Sequence, residues 1–282
     1  MTPLIQVDEL KRLMDSGAPY RLFDCRFDLT NPSAGFQSYQ EGHIPTAAFA
    51  DLDHDLASTK NGRNGRHPLP EISEWEATCA RLGISFDVPV IVYDNQGGMF
   101  AVRLWWMLRA CGHPQVGILN GGYAAWLKEK LPSTTGIETY SSTTVPPLKI
   151  YSQLFTVDQI VGNLKDAHYK ILDARSADRY RGENETLDPV GGHIPGALNR
   201  FFKDNLNEQG FFKSPSQLRE EFLAVIGNTP SEQIIHQCGS GVTACHNLFA
   251  MELAGLPYAG IYSGSWSEWC SDSNRPVATG LQ

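Results

Sequence analysis

The chain has little of what metal sites and disulfide frameworks require. Its 282 residues include six cysteines, too few for a disulfide framework in a chain of this length. No two cysteines form the Cys-x-x-Cys pair that is typical of structural zinc sites and of thioredoxin chemistry. We therefore expect free thiols, most of them buried as small hydrophobic side chains, and no metal or organic cofactor.

Positive charge and long apolar runs are scarce as well. Lys and Arg number 23 against 31 Asp and Glu, so the formal net charge is -8. This balance argues against a broad surface for nucleic acid or an anionic membrane. No apolar run approaches the ~18 residues of a membrane span, and the first residues lack a basic segment followed by an apolar core. We expect a cytoplasmic protein with neither a nucleic-acid nor a membrane partner.

What the sequence does contain is a duplication. Four segments of the first half recur in the same order in the second: 23–26 (FDCR) as 172–175 (LDAR), 42–47 (GHIPTA) as 192–197 (GHIPGA), 90–94 (VIVYD) as 234–238 (IIHQC), and 121–126 (GGYAAW) as 264–269 (GSWSEW). The offset is roughly 150 residues, whereas solenoid units repeat at about 20 to 50 residues. The copies are therefore whole domains, and we place the boundary in the Ser-, Thr- and Pro-rich connector at 132–149.

Short β-branched runs alternate with longer amphipathic stretches in both halves. This alternation is typical of βαβ units, so we expect an α/β fold in which each half has a parallel sheet flanked by helices. The predicted strands are 21–24, 89–93, 115–119, 170–173, 233–237 and 259–262. The predicted helices are 99–110, 123–130, 216–226 and 242–254.

The two copies differ at one chemically important position. The second copy has Cys238 where the first has Asp94, at the point where a predicted buried strand ends and a Gly-rich turn leads into a helix. In open parallel sheets ligands bind beyond the carboxyl ends of the strands. A helix N-terminus there offers unpaired N–H groups that favour a thiolate, while Asp94 would repel anions. We predict that Cys238 is a nucleophile and that the first copy is non-catalytic.

The loop after this cysteine has the composition of an anion-binding turn. Gly239 and Gly241 lack side chains that would keep the loop amides from converging on one point, and Ser240 and Thr243 add hydroxyl donors. With Val242, these residues form the predicted substrate-binding loop. The alternative at this stage is a plain strand-to-helix turn that contains a buried cysteine.

Several segments resemble the tandem rhodanese family: 238–245 (CGSGVTAC) and 261–269 (IYSGSWSEW), together with 105–110 (WWMLRA) and 120–122 (NGG) in the first half. The similarity extends over nearly the whole chain and is closest to the 3-mercaptopyruvate sulfurtransferase branch. It implies that Cys238 carries sulfur as a persulfide. It also implies two rhodanese domains, a non-catalytic one at 1–131 and a catalytic one at 150–282, joined by the connector at 132–149.

The resemblance further implies residues for donor chemistry. Members that favour thiosulfate carry an Arg and a Lys directly after the cysteine, which suit a dianion, whereas this chain has Gly239 and Ser240. In the mercaptopyruvate branch an Asp, a His and a Ser lie near the sulfur, and their equivalents here are Asp53, His67 and Ser240. With Cys238, these three are the predicted catalytic residues, and thiosulfate remains the alternative donor.

Arg179 is the predicted anion-binding residue. It matches an arginine that binds the substrate anion throughout the family, and a guanidinium fork suits a carboxylate or a sulfonate equally well. The mercaptopyruvate branch has a second arginine several residues later, within a Glu-Pro-Arg segment, where this chain has 185–189 (ETLDP). Arg181 and Arg200 are the candidates for the missing charge, with the alternative that both are surface arginines.

We expect a sulfurtransferase that moves sulfur from 3-mercaptopyruvate to cyanide, a small thiol or thioredoxin. A phosphatase of related fold would need an arginine where this chain has Ala244, because the transferring phosphoryl group depends on that guanidinium. A non-catalytic sulfur-sensing or binding module is the remaining alternative from another class. The intact loop after Cys238 argues against it.

Overall fold

The computed structural model describes residues 2–280 and divides them into two compact units. The first contains residues 2–58, Pro70–Tyr151 and Glu208–Phe212, and the second contains Thr59–Leu69, Ser152–Asn207 and residues 213–280. Each unit therefore includes a short segment from the other half of the sequence. Residues 1, 281 and 282, at the outer ends of the predicted domains, lie outside the described part of the chain. The connector 132–149 contains no helix or strand and is part of the first unit.

The first unit is a parallel sheet of five strands with five helices. The strands are β1 (Leu4–Ile5), β2 (Arg21–Asp24), β3 (Ala48–Phe49), β4 (Val90–Tyr93) and β5 (Val116–Leu119). The helices are α1 (Val7–Ser16), α2 (Ser33–Glu41), α3 (Ile72–Arg81), α4 (Ala101–Ala110) and α5 (Gly122–Lys128). The strand order is β1-β5-β4-β2-β3, and all pairs are parallel.

The second unit is a parallel sheet of four strands with five helices. The strands are β6 (Lys170–Asp173), β7 (Leu198–Asn199), β8 (Ile234–Gln237) and β9 (Gly260–Ile261), in the order β7-β6-β8-β9. The helices are α6 (Val157–Asp166), α7 (Ala177–Arg181), α8 (Pro215–Ile226), α9 (Ala244–Leu253) and α10 (Ser265–Trp269), with 3-10 turns at Phe202–Asn205 and Ser231–Gln233. No helix within residues 2–280 has the length and apolar character needed to cross a membrane.

The apolar runs of the sequence form the interior strands of both sheets. All four residues of β4 and of β8 are buried, as is usual for parallel strands covered by helices on both faces. The prediction of an α/β fold with two parallel sheets is confirmed. The six predicted strands agree with observed strands to within one residue at each end, and the four predicted helices to within two.

Each face of the second sheet has its own hydrophobic cluster. Ile171 and Leu172 are consecutive in β6 but belong to different clusters, because successive side chains of a strand point to opposite faces. One cluster includes Trp266 and Trp269 of α10, and the other includes Phe222 of α8. Helices on both faces therefore hold β8 and the loop that follows it.

The same ion-pair brace follows β2 and β6. Arg26 donates to the Asp24 carboxylate, 2.7 Å away, and to the backbone carbonyl that opens the first Gly-His-Ile-Pro turn. Arg175 donates in the same way to Asp173, at 2.6 Å, and to the second Gly-His-Ile-Pro turn. Because the brace is also present in the copy that has Asp94 in place of the candidate nucleophile, it belongs to the scaffold.

Candidate active site

Cys238 directly follows β8 at the carboxyl edge of the second sheet. Its N–H donates to the hydroxyl of Ser265, 3.1 Å away, and its carbonyl accepts the N–H of Trp266 at 2.9 Å. Both partners belong to α10, so the start of that helix fixes the backbone at this position. The residue is 1% exposed, and its sulfur therefore lies in an environment with little bulk water.

The loop after Cys238 directs its amides at the sulfur. The Cys238 Sγ accepts the N–H groups of Ser240, at 3.4 Å, and of Gly241, at 3.1 Å. Gly241 has a φ of +80°, and a Cβ there would lie 2.2 Å from the carbonyl oxygen of Ser263. No residue with a side chain fits this turn. The two converging amides form a cradle that stabilises negative charge on sulfur.

The structure brings Ser240 and His67 together beside this cradle. Ser240 Oγ and His67 Nδ1 lie 2.8 Å apart, and both residues are buried. His67 reaches the site because the segment Thr59–Leu69 belongs to the second unit. Within that segment, the N–H of Arg66 donates to the hydroxyl of Ser267 on α10, at 3.0 Å. The pair offers a hydroxyl and an imidazole through which a proton can pass.

Asp53, the third residue expected with this pair, lies in the first unit. It follows β3 in a turn where its N–H donates to the carboxylate of Asp51 at 2.8 Å. Its assignment to the catalytic group stays a prediction from the family resemblance.

Two guanidinium groups lie beside Gly239. A Cβ at this glycine would be 2.6 Å from Nη2 of Arg66 and 3.5 Å from Nη2 of Arg179. Arg179, on α7, was singled out in the sequence, whereas Arg66 was not. In the sequence, Arg66 was marked only by its position next to the candidate His67. Both residues lie far from Gly239 along the chain, but their segment belongs to the second unit.

Arg181 and Arg200, the sequence candidates for a second anion-binding charge, are held in other ion pairs. Arg181 donates from Nε and Nη2 to Glu183 near the surface. Arg200 is buried and donates to Asn205 and to Glu221. The guanidinium that accompanies Arg179 at the loop is therefore that of Arg66.

The acidic groups around Arg179 complete the charge distribution. Glu185 accepts from Nε and Nη2 of Arg179, each at 2.9 Å, and the Asp188 carboxylate lies 3.3 Å from Nη2. Burial works against the charged form of Glu185, but hydrogen bonds from Arg179 and from two backbone N–H groups outweigh it, so its pKa is lowered. Burial raises the pKa of Asp188, although Arg66 and Arg179 act in the opposite direction.

The last two residues of the predicted loop, Val242 and Thr243, lead into α9 and are buried. Thr243 occupies the position before the first residue of the helix. At the second residue of the helix, the Cys245 thiol donates to the carbonyl of Gly241 at 3.4 Å. The loop is thereby tied to the helix that follows it.

The first unit has a carboxylate where the second has the thiol. One oxygen of Asp94 accepts the N–H groups of Gln96 and Gly98, at 2.7 and 2.9 Å. The other accepts those of Phe100 and Ala101, at 2.8 and 3.0 Å. The carboxylate of Asp94 thus occupies the loop amides that could otherwise bind an anion, which is consistent with the expectation that Asp94 repels anions.

Known proteins resemble this chain over nearly its whole length. The family model described as Rhodanese-like domain matches residues 6–129 and 156–272. A probable 3-mercaptopyruvate sulfurtransferase from Pseudomonas aeruginosa is 45% identical over 92% of this chain and 92% of its own length. A thiosulfate sulfurtransferase from Mus musculus is 36% identical over 90% of this chain and 86% of its own. The solved 3-mercaptopyruvate sulfurtransferase from Leishmania major has a TM-score of 0.86 and 30% identity, covering 97% of this chain and 75% of that one.

Proposed function

Since this chain belongs to the rhodanese-like family, with two such domains, and is a sulfurtransferase, we propose that it takes sulfur from 3-mercaptopyruvate and holds it as a persulfide on Cys238. The observation that carries the choice of donor is the hydrogen-bonded pair Ser240 and His67 beside the cysteine. This donor leaves as an enolate that needs a proton, and the pair offers a hydroxyl and an imidazole that can supply one.

The first half-reaction transfers one sulfur atom. The Cys238 thiolate attacks the thiol sulfur of 3-mercaptopyruvate, an S–S bond forms and the C–S bond breaks, with its electron pair passing to carbon. The resulting enolate takes up the proton that the transferred sulfur gives up, through Ser240 and His67, and leaves as pyruvate. The amides of Ser240 and Gly241 stabilise the negative sulfur before and after transfer.

The second half-reaction regenerates the thiolate. Cyanide, a small thiol or thioredoxin attacks the outer sulfur of the persulfide, and the electron pair of the S–S bond returns to Cys238. With cyanide the product is thiocyanate. The two steps share one covalent intermediate, so we expect ping-pong kinetics. We place this chemistry in the cytoplasm, because six free cysteines suit a reducing compartment.

Thiosulfate is the second candidate donor. Two guanidinium groups beside Gly239 suit its negative charge, and the relative from Mus musculus is named a thiosulfate sulfurtransferase. With this donor the thiolate attacks the outer sulfur, and sulfite leaves with the electron pair of the S–S bond. The first unit supplies no nucleophile for either reaction, in keeping with the carboxylate of Asp94 in its cradle.

The test compares both donors in one assay with cyanide as acceptor. Wild type should form pyruvate and thiocyanate from 3-mercaptopyruvate, with kcat/KM above that for thiosulfate. Cys238→Ser should form neither product. After wild type is treated with the donor and no acceptor, mass spectrometry should find an addition of about 32 Da, one sulfur atom, on Cys238. Cys111→Ser, a buried cysteine of the first unit, is the matched control. Turnover by Cys238→Ser would remove this residue from the mechanism, and a preference for thiosulfate would overturn the choice of donor.

A further inference from the structure

We propose that Arg66 and Arg179 together bind the carboxylate of the sulfur donor, and that the side chain of Asp188 occupies this position until the donor displaces it. The proposal rests on the sulfurtransferase function proposed above. It adds a binding residue and a reason for preferring a donor with one negative charge.

The first step of the argument is the geometry of Asp188. One carboxylate oxygen accepts a hydrogen bond from Nη1 of Arg66, and the other lies 3.3 Å from Nη2 of Arg179. The same two arginines are the closest side chains to an added Cβ at Gly239, the residue after the nucleophile. A carboxylate group thus already spans two guanidinium forks next to the reacting loop, which is the geometry that a carboxylate ligand would adopt.

The second step distinguishes Asp188 from its neighbour Glu185. Glu185 accepts two close hydrogen bonds from Arg179 and also the N–H groups of Leu187 and Asp188, so it is fixed to its own loop. The Asp188 side chain is only 3% exposed, and burial raises its pKa despite the two arginines, while the pKa of Glu185 is lowered. Asp188 is therefore the carboxylate whose place a ligand takes at the smaller cost.

The third step concerns charge. Arg66 and Arg179 balance the charges of Glu185 and Asp188. A third guanidinium, that of Arg175, lies 3.5 Å from Glu185 and is balanced by Asp173. The cluster therefore sums to zero and attracts anions weakly while Asp188 is in place. A donor carboxylate that takes the place of the Asp188 carboxylate keeps this balance. A dianion such as thiosulfate brings one further negative charge into a partly buried cluster, which costs more. The arrangement thus favours monoanionic carboxylate donors.

The experiment alters each charge separately and uses an exposed ion pair of the same unit as control. Arg66→Met should lower kcat/KM for 3-mercaptopyruvate roughly tenfold or more, by the loss of a charge-assisted hydrogen bond, and Arg66→Lys should restore part of it. Asp188→Asn should raise kcat/KM. Arg181→Met and Glu183→Gln, which remove the pair near the surface, should leave kcat/KM unchanged.

The donor dependence of Asp188→Asn is the sharper measurement. Coulomb energy is proportional to ligand charge, so a gain of about threefold for a monoanion corresponds to about ninefold for a dianion. The ratio of kcat/KM for 3-mercaptopyruvate over thiosulfate should therefore fall about threefold. An unchanged or increased ratio would overturn the role of Asp188.

A second readout separates this proposal from the proposed function. Iodoacetate and iodoacetamide alkylate a thiolate by the same displacement of iodide and are similar in size, but only iodoacetate carries a carboxylate. The rate of alkylation of Cys238 is measured for each reagent by peptide mass spectrometry. The rate with iodoacetate divided by the rate with iodoacetamide should fall in Arg66→Met and rise in Asp188→Asn. If wild type transferred no sulfur but these ratios moved as expected, the function alone would fail. If sulfur transfer were normal and both ratios equalled that of wild type, the anion-binding proposal alone would be wrong.

Discussion

Replacing Asp94 with Asn tests whether a carboxylate holds the cradle of the first unit together. The two oxygens of Asp94 accept four backbone N–H groups at 2.7 to 3.0 Å, those of Gln96, Gly98, Phe100 and Ala101. Asparagine has nearly the same size, but one of its two terminal atoms is a donor. Two of the four N–H groups would then face another donor.

The expected loss of stability follows from these contacts. A hydrogen bond to a charged acceptor contributes about 1.5–3 kcal/mol, and Asp94 is only 1% exposed, so water does not replace the two lost bonds. We expect the free energy of unfolding to fall by about 3–6 kcal/mol, a large share of the roughly 5–15 kcal/mol of a typical domain. The folded fraction should keep the kcat/KM of wild type, because the nucleophile lies in the second unit.

Urea unfolding provides the measurement. Far-UV circular dichroism and tryptophan fluorescence should be recorded together, because a protein of two units can depart from two-state behaviour. Asp15→Asn is the matched control, since its exposed side chain pairs with Lys11 on the surface of α1 and should leave the midpoint unchanged. A free energy of unfolding for Asp94→Asn within about 1 kcal/mol of wild type would refute the reasoning. A folded variant without turnover would contradict a non-catalytic first unit.

Ser240→Ala should lower kcat/KM for 3-mercaptopyruvate by about 10²- to 10⁴-fold with little change for thiosulfate, because departing sulfite needs no proton. His67→Gln should behave in the same way, and an equal loss with both donors would count against proton delivery. Burial lowers the pKa of His236, in β8, from 6.5 to about 3, so on acidification the unfolded chain takes up this proton first. The contribution of the neutral His236 to the free energy of unfolding should be fully present above pH 6.5. It should fall by about 1.4 kcal/mol per pH unit between pH 6.5 and pH 3. His236→Val, which installs the residue found at Val92 in the first copy, should flatten this fall between pH 7.5 and 5; urea midpoints that decline as steeply as in wild type would disprove it.

The fold was predictable because its signals are local or repeated. The strand β4 (VIVY) is an unbroken apolar run and β8 (IIHQ) begins with two isoleucines, and short runs of this kind before a Gly-rich turn favour a strand covered on both faces. The repeated Gly-His-Ile-Pro turns identified the duplication from sequence alone. The exchange of Thr59–Leu69 and Glu208–Phe212 between units was not predictable. Neither segment forms a regular helix or strand, so no periodicity indicates which core it packs against.

The candidate site was predictable only where residue identity carries the chemistry. Cys238 is recognisable from the Gly-rich loop after it, and Arg179 from a family motif. Arg66 and Asp188 were missed because each is an ordinary charged residue until the fold pairs their side chains and brings the Arg66 guanidinium to Gly239. The sequence offered Arg181 and Arg200 only as candidates for the second charge, whereas the guanidinium beside Arg179 is that of Arg66, from a segment far away in the chain.

Because Thr59–Leu69 belongs to the second unit, the two halves of the sequence are not independent domains. A chain divided at the connector would leave the nucleophile in one product and His67 with Arg66 in the other. Neither product would hold all the residues that we propose for sulfur transfer and anion binding. The duplication is still visible in the sequence, but under the proposed mechanism the two halves depend on each other, since the second contains the nucleophile and the first contains Arg66 and His67.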